Sequence, residues 1–353
     1  MTQKQAIAVL FGGMSSEYEI SLLSAGSVIK QIPKDRYETI CIGITKQGRW
    51  LRYIGPIEKI ENDTWHEDAN CVRAMISADR SEKGILQFEK DGSLSLLKVD
   101  CILPVLHGKN GEDGTMQGLL SLSGIPYVGC DTLSSAVCMD KSVTHVILEN
   151  AGIRCAKWKL ILKEDAKTLS EKLEKIVQEL SFPLFIKPAN SGSSVGISRA
   201  EDMHALKEGI ALAFAHDNKV VVEEEIQGAE VECAVLERGK PYASVLGQIK
   251  PCNSFYDYQA KYQGDSELII PALLDEQTTA AVQQNAVNAF CVLGCRGLAR
   301  VDFFVTKDNQ VVLNEVNTLP GFTAISMYPK LWQQSGLAYA DLIDTLIQQA
   351  IKH

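Results

Sequence analysis

Arg300-Val-Asp-Phe-Phe-Val-Thr-Lys-Asp-Asn-Gln-Val-Val-Leu-Asn-Glu-Val-Asn317 sets Asp302, Glu315 and Asn317 into two apolar runs joined by the turn-like Lys307-Asp-Asn. Such runs, bounded by turn signals, read as buried strands. A charge inside a buried strand is costly unless it is paired or holds a metal. Oxygen ligands from two neighbouring strands suit Mg²⁺, which completes its shell with phosphate oxygens. Arg300 lies two residues before Asp302 and so shares its face of an extended strand. A cation there stabilises charge developing on a transferring phosphoryl or acyl group. An ordinary solvated hairpin would not set acids inside apolar runs.

Working outward, Lys187-Pro-Ala-Asn-Ser-Gly-Ser-Ser-Val-Gly196 places a lysine at a strand end before a loop of small residues. Glycines and serines of this kind let backbone N–H groups and hydroxyls cradle phosphates. A flexible connector has the same composition; beside the carboxylate hairpin the stretch reads as phosphate-binding. It lacks the Gly-x-x-x-x-Gly-Lys-Ser/Thr of common P-loops. The next strand ends in Val220-Val-Val-Glu-Glu-Glu-Ile226, with Glu230 beyond. Acidic runs are usually solvated, but Glu223 and Glu230 follow the phosphate loop and suit an adenine edge and a ribose.

Nearer the start, His107-Gly-Lys-Asn-Gly-Glu-Asp-Gly114 follows the strand-like Cys101–Leu106, and Glu17 follows Gly12-Gly13. Both lie at strand ends, where open α/β sheets bind ligands. Phe255-Tyr-Asp-Tyr-Gln-Ala-Lys-Tyr262 reads as a lid that closes over reactants.

The chain has 353 residues, 46% hydrophobic and 22% charged, with a net charge of -9. That length implies two or three cores. The acidic balance excludes general nucleic-acid binding. No apolar run reaches the roughly 18–20 residues of a membrane span. No secretory pattern opens the sequence, which points to a cytoplasmic location. The ten cysteines lack a Cys-x-x-Cys pair, so zinc and a disulfide framework are not expected.

Strand-like Ala6–Phe11, Tyr37–Ile44 and Val99–Val105, alternating with helical runs, predict a mostly parallel α/β unit, with Ser16 as a helix cap and Glu58–Asp68 at the surface. Asp140–Gly152 and the stripe Leu169, Leu173, Ile176, Val177, Leu180 predict helices. The stripe Leu342, Ile343, Leu346, Ile347 predicts a last one. Units are expected at 1–129, 130–226 and 227–353.

Taken in order, Gly12-Gly-Met-Ser-Ser-Glu-Tyr-Glu-Ile-Ser21, the 107–114 segment, Met139-Asp-Lys141, the 187–196 loop, the 255–262 segment, the 300–321 segment and Ile325-Ser-Met-Tyr-Pro329 resemble the D-alanine–D-alanine ligases of the ATP-grasp superfamily. The resemblance covers nearly the whole chain. It implies an α/β, three-domain ATP-grasp architecture with an N-terminal Rossmann-like (preATP-grasp) domain. It implies ATP as cofactor and two Mg²⁺ ions, with Mn²⁺ as a substitute, on Asp302, Glu315 and Asn317. Lys141, Lys187, Ser193, Glu223, Glu224, Ile226, Glu230, Lys261 and Phe304 are implied as the nucleotide site. Lys261 would also link phosphate to the second substrate. Glu17, Ser193 and Tyr262 are implied as a hydrogen-bonded clasp, Arg300 and Gly321 as oxyanion donors. Glu17 and His107 would hold the first D-alanine; Ser326 and Met327 would meet the second. The implied product is D-alanyl-D-alanine for peptidoglycan precursors, made by a homodimer. Lys109-Asn110 and Asn62-Asp-Thr-Trp65 look more like the D-alanine–D-serine branch. Met327, where the resistance-type ligases carry Arg, and Tyr262, which the D-lactate branch lacks, look like the D-alanine branch.

Overall fold

The computed structural model describes residues 4–250 and 267–352. Its strands form three sheets that follow one another along the chain. The first holds β1 (Gln5–Gly12), β2 (Tyr37–Ile44), β3 (Trp50–Tyr53), β4 (Val72–Ile76), β5 (Gly84–Phe88), β6 (Leu94–Lys98) and β7 (Cys101–Val105), in the order β6-β5-β4-β3-β2-β1-β7. Only β2-β1-β7 pair in parallel; β2 to β6 form an antiparallel meander. The expectation of a mostly parallel unit therefore holds only around the helix Tyr18–Gln31. Three of the connections between β2 and β6, residues 45–49, 77–83 and 89–93, are too short to carry the crossover helix that parallel pairing needs, and the fourth, 54–71, holds only the five-residue helix Ile57–Glu61 and the short turn Trp65–Glu67.

Two further sequence expectations fail here. Ser16 does not cap the first helix: Glu17 is its N-terminal flanking residue and no side chain caps it. The 58–68 stretch is not all surface. Ile60 and Trp65 are fully buried, and the Trp65 ring stands where any Cβ on Gly43 would have to go. Only two large apolar side chains in a charged stretch were needed to anchor it.

The second sheet holds β8 (Trp158–Leu162), β9 (Leu184–Pro188), β10 (Ser198–Ala200) and β11 (Lys219–Glu224), all antiparallel in the order β10-β9-β11-β8. The predicted stripe helix, Leu169–Leu180, buries Leu173, Ile176 and Leu180 on this sheet's core. The third holds β12 (Gly228–Glu237), β13 (Pro241–Lys250), β14 (Glu267–Ile269), β15 (Leu298–Thr306) and β16 (Val311–Asn317), antiparallel in the order β14-β13-β12-β15-β16.

The helix Lys141–Asn150 starts where Asp140 accepts the N–H groups of Ser142 and Val143, at 3.1 and 3.3 Å. It ends before Gly152 at φ +73°. With the helix Thr132–Met139 it lends Cys138 and Leu148 to the third sheet's core. The last helix, Tyr339–Lys352, buries Leu342, Ile343, Leu346 and Ile347 against side chains of the first sheet. The nine described cysteines are free thiols. Among the described residues no helix is long and apolar enough to cross a membrane.

Candidate active site

The hairpin forms as the sequence predicts. β15 and β16 pair with Asp302 opposite Glu315 and Arg300 opposite Asn317, and a bulge follows Asp302. Arg300 grips Asp302 with Nε and Nη2 at 2.8 and 2.7 Å, and its Nε also lies 2.9 Å from Glu232. Asn317 Nδ2 donates to Asp302 at 3.0 Å. Burial works against the Arg300 charge, but Asp302 and Glu232 outweigh it and push its pKa well up. Among the described residues no three His, Cys, Asp or Glu side chains converge as a metal-holding group. The hairpin offers two carboxylates and an amide, a hard-oxygen set that fits Mg²⁺ where phosphate oxygens supply the rest.

A cavity of about 570 Å³ opens between the second and third sheets, with Lys141, Lys187, Glu223, Glu230, Phe304 and Glu315 on its wall; Ser193, Glu224 and Ile226 line it too. Every described residue that the sequence assigns to the nucleotide is therefore at one place. Lys187 Nζ donates to Glu223 at 2.6 Å and to Asn314 at 3.3 Å. His145 Nε2 is 3.0 Å from the other Glu223 oxygen. Burial raises the Glu223 pKa, but Lys187 and the hydrogen bond from His145 overcome it and hold the carboxyl at about 2. Lys141 Nζ donates to Ser191 O at 2.7 Å, anchoring the small-residue loop. Ser193 and Ser194 hold left-handed φ of +51° and +58°. Such a backbone is uncommon outside glycine and clusters at ligand clamps.

A second cavity, of about 420 Å³, is walled by Glu17, His107 and Glu112 on one side and by Arg300, Gly321, Ser326, Met327 and Lys330 on the other. Ser193 and Glu315 line both cavities, so the two meet at the phosphate loop and the hairpin. Ser193 Oγ donates to Glu17, closing two members of the expected clasp. Backbone crowds this carboxylate: a Cβ on Gly108 would stand 2.4 Å from Glu17 Oε2.

His107 has both ring nitrogens engaged, Nδ1 with Leu319 O at 3.0 Å and Nε2 with Ser24 Oγ at 3.2 Å. Burial pushes its pKa below the ordinary value although Glu17 pulls the other way, so the ring is neutral near pH 7. Nδ1 must then donate to the carbonyl and Nε2 accept from the hydroxyl. His107 thus fixes the 319–322 backbone and offers no free nitrogen. Glu112 holds the same residue from its other side, accepting the N–H of Leu319 at 3.3 Å and of Gly108 at 2.6 Å. Burial, with Glu17 close by, pushes the Glu112 carboxyl up to about 8 against the pull of those N–H groups. Beyond this clamp, Ser326 Oγ accepts the Thr323 N–H at 3.0 Å. A Cβ on Gly321 would lie 2.9 Å from that oxygen, and one on Gly247 would lie 2.5 Å from the buried Met327 sulfur.

Lys261 and Tyr262 lie outside the described residues. Sequence reasoning did not assign Glu112, Glu232, His145 or Lys330. Glu112 stands inside the glycine-rich motif 107–114, where its neighbours drew the attention. Glu232 matters only because β12 sets it opposite Asp302, a register that the sequence does not display.

A cavity between two antiparallel sheets, with a small-residue loop on one wall and a carboxylate hairpin on the other, is the ATP-grasp architecture. Family models described as D-ala D-ala ligase N-terminus and C-terminus match residues 6–130 and 147–348. The D-alanine–D-alanine ligase of Acetivibrio thermocellus is 47% identical over 100% of this chain and 97% of its own length. That of Caldicellulosiruptor bescii is 47% identical over 99% and 96%. Among solved structures, the VanG D-Ala:D-Ser ligase from Enterococcus faecalis superposes with a TM-score of 0.90 at 43% identity, covering 99% of this chain and 100% of that one. The D-alanine-D-alanine ligase from Coxiella burnetii gives 0.87 at 35%, covering 99% and 95%. The chain belongs to the D-alanine–D-alanine ligase family.

Proposed function

We propose that this chain joins two D-alanines at the expense of ATP, giving D-alanyl-D-alanine, ADP and phosphate for peptidoglycan precursors. The observation that carries the reading is the meeting of the two cavities at Ser193 and Glu315. A nucleotide in the first would present its terminal phosphate to an amino acid in the second. Lys141, Lys187 and the Ser193 loop orient the phosphates; Glu223, Glu224, Ile226, Glu230 and Phe304 take the base and sugar. Asp302, Glu315 and Asn317 would hold two Mg²⁺, or Mn²⁺, which when bound offset the phosphate charge.

Glu17 takes the ammonium of the first D-alanine, and His107 serves it through the backbone it fixes. The carboxylate of that D-alanine attacks the γ-phosphorus, the bond to ADP breaks, and an acyl phosphate forms. The neutral amine of the second D-alanine then attacks the acyl carbon. Arg300 and the Gly321 N–H face the oxyanion of the tetrahedral intermediate. Collapse expels phosphate, which leaves with the proton that the attacking nitrogen gives up. Ser326 and the backbone at Met327 receive the second carboxylate. Lys261 and Tyr262, by resemblance, complete the phosphate contacts and the clasp on Glu17 and Ser193. Resemblance also supports a cytoplasmic homodimer and a division at 1–129, 130–226 and 227–353; the three successive sheets favour that division, while 130–153 lends side chains to the third sheet.

The likeness to a D-Ala:D-Ser ligase favours a second reading, with D-serine as acceptor. Met327 favours the first, since a buried thioether suits a methyl side chain better than a hydroxyl. Incubation with ATP, Mg²⁺ and equal D-alanine, D-serine and D-lactate, followed by chromatography, decides between them. Mostly D-alanyl-D-alanine is expected. A dominant D-alanyl-D-serine product would establish the second reading, and no ATP-dependent dipeptide would remove both.

A further inference from the structure

Four carboxylates line the second cavity, from Glu17, Glu112, Glu232 and Glu315, with only two cations, Arg300 and Lys330, among the described residues. His107 adds no charge while neutral. Arg300 is committed on two sides, to Asp302 and to Glu232. Lys330 forms no ion pair or hydrogen bond with any described residue. It lies in the helix Met327–Gln334, one turn after Ser326, and so faces the side that Ser326 presents.

A second amino acid must bring a carboxylate into this acid-rich space while its amine points at the acyl carbon. The Ser326 hydroxyl is already shared with Thr323, through its N–H and, at 2.8 Å, its own hydroxyl. One shared hydroxyl does not offset the charges of Glu17, Glu232 and Glu315, Glu112 being held protonated near neutral pH, whereas a charge-assisted hydrogen bond to an ammonium is about twice as strong as a neutral one.

We infer that Lys330 binds the carboxylate of the second, acceptor amino acid, and that it makes the enzyme prefer an acceptor with a carboxylate to one without. The inference rests on the reading of Ser326 and Met327 as the acceptor site. It adds a binding residue whose charge sets which acceptor class is taken.

The test measures dipeptide formation at saturating ATP against D-alanine concentration, which separates donor and acceptor constants. D-alaninamide serves as a competing acceptor that lacks the carboxylate charge. Lys330→Met and Lys330→Gln should each raise the acceptor KM by about tenfold or more. The donor and ATP constants should stay within about twofold, the size of a change too small to count as a lost contact. Both variants should lose most of the preference for D-alanine over D-alaninamide, and Lys330→Arg should restore it. An unchanged acceptor KM and unchanged preference in both neutral variants would overturn the inference. Failure of the underlying reading appears elsewhere, in proteins that keep Lys330. If the unaltered enzyme shows no preference for the acceptor with a carboxylate, or Ser326→Ala leaves the acceptor KM unchanged, the acceptor site is misplaced and the inference falls with it.

Discussion

The two cavities handle charge in opposite ways. In the first, Lys187 rests on Glu223, backed by His145, and Arg199 rests on Glu225 at 2.6 Å. Two of its cations, Lys187 and Arg199, are thus each paired with an acid. In the second, Arg300 is locked between Asp302 and Glu232, while Lys330 stands without a described partner. The difference suits the ligands proposed for them. A nucleotide would bring several negative charges to a site that must stay folded without it, so pairing keeps the part-buried Lys187 stable in its absence. A zwitterionic amino acid brings one charge of each sign, and a single unpaired cation is enough to orient it.

The hairpin joining the cavities gives the strongest way to break this contrast. Asp302→Asn with Glu315→Gln should lower ATP-dependent phosphate release by at least about 10³-fold. Turnover left intact would remove the metal assignment. Arg300→Met comes next. It leaves Asp302 and Glu232 as unneutralised acids on adjacent strands and should cost about 3 kcal/mol in urea unfolding, with turnover down about 10²-fold. A stability change under about 0.5 kcal/mol, the size of an ordinary surface substitution, would show that Arg300 is not the clamp described.

In the first cavity, Glu223→Gln leaves Lys187 without its carboxylate and should cost about 2 kcal/mol. The pH dependence sharpens the point. The folded pKa of Glu223, about 2, lies below the ordinary 4.5. Its stabilisation is therefore complete above pH 4.5 and is lost as pH falls toward 2. The variant should show a shallower loss of stability in acid than the parent; parallel curves would contradict the pairing.

Glu112 gives an effect of opposite sign. Its folded pKa, about 8, lies above the ordinary 4.5, so the folded state holds an extra proton between those values. Stability from this group falls as pH rises from 4.5 to 8, with a slope of up to about 1.4 kcal/mol per pH unit. Relative to the parent, Glu112→Gln should gain stability as pH rises through that window, measured by urea midpoints at several pH values. A constant difference would mean that the carboxyl is not protonated in the fold.

The first cavity was legible in the sequence because its groups come from short local runs, 187–196 and 220–230, with a strand end before each loop. The hairpin was legible because acids inside apolar runs demand an explanation. The second cavity is assembled from distant segments: Glu17, the 107–112 loop, Arg300 and 321–330. Family resemblance named most of its residues there. It did not show that His107 and Glu112 grip the two backbone groups of Leu319, nor that Lys330 faces the space beside Ser326.

Periodicity and turn chemistry along the chain determined the helices at 141–150 and 169–180, the paired strands at 298–317 and the small-residue loop, because each depends on neighbours only a few residues away. The tertiary structure alone decided the antiparallel meander of the first sheet, the burial of Trp65, the register of Glu232 against Asp302 and the charge balance of the second cavity. Those depend on which distant surfaces exclude water from one another, and a buried charge gains or loses its partner only when they meet.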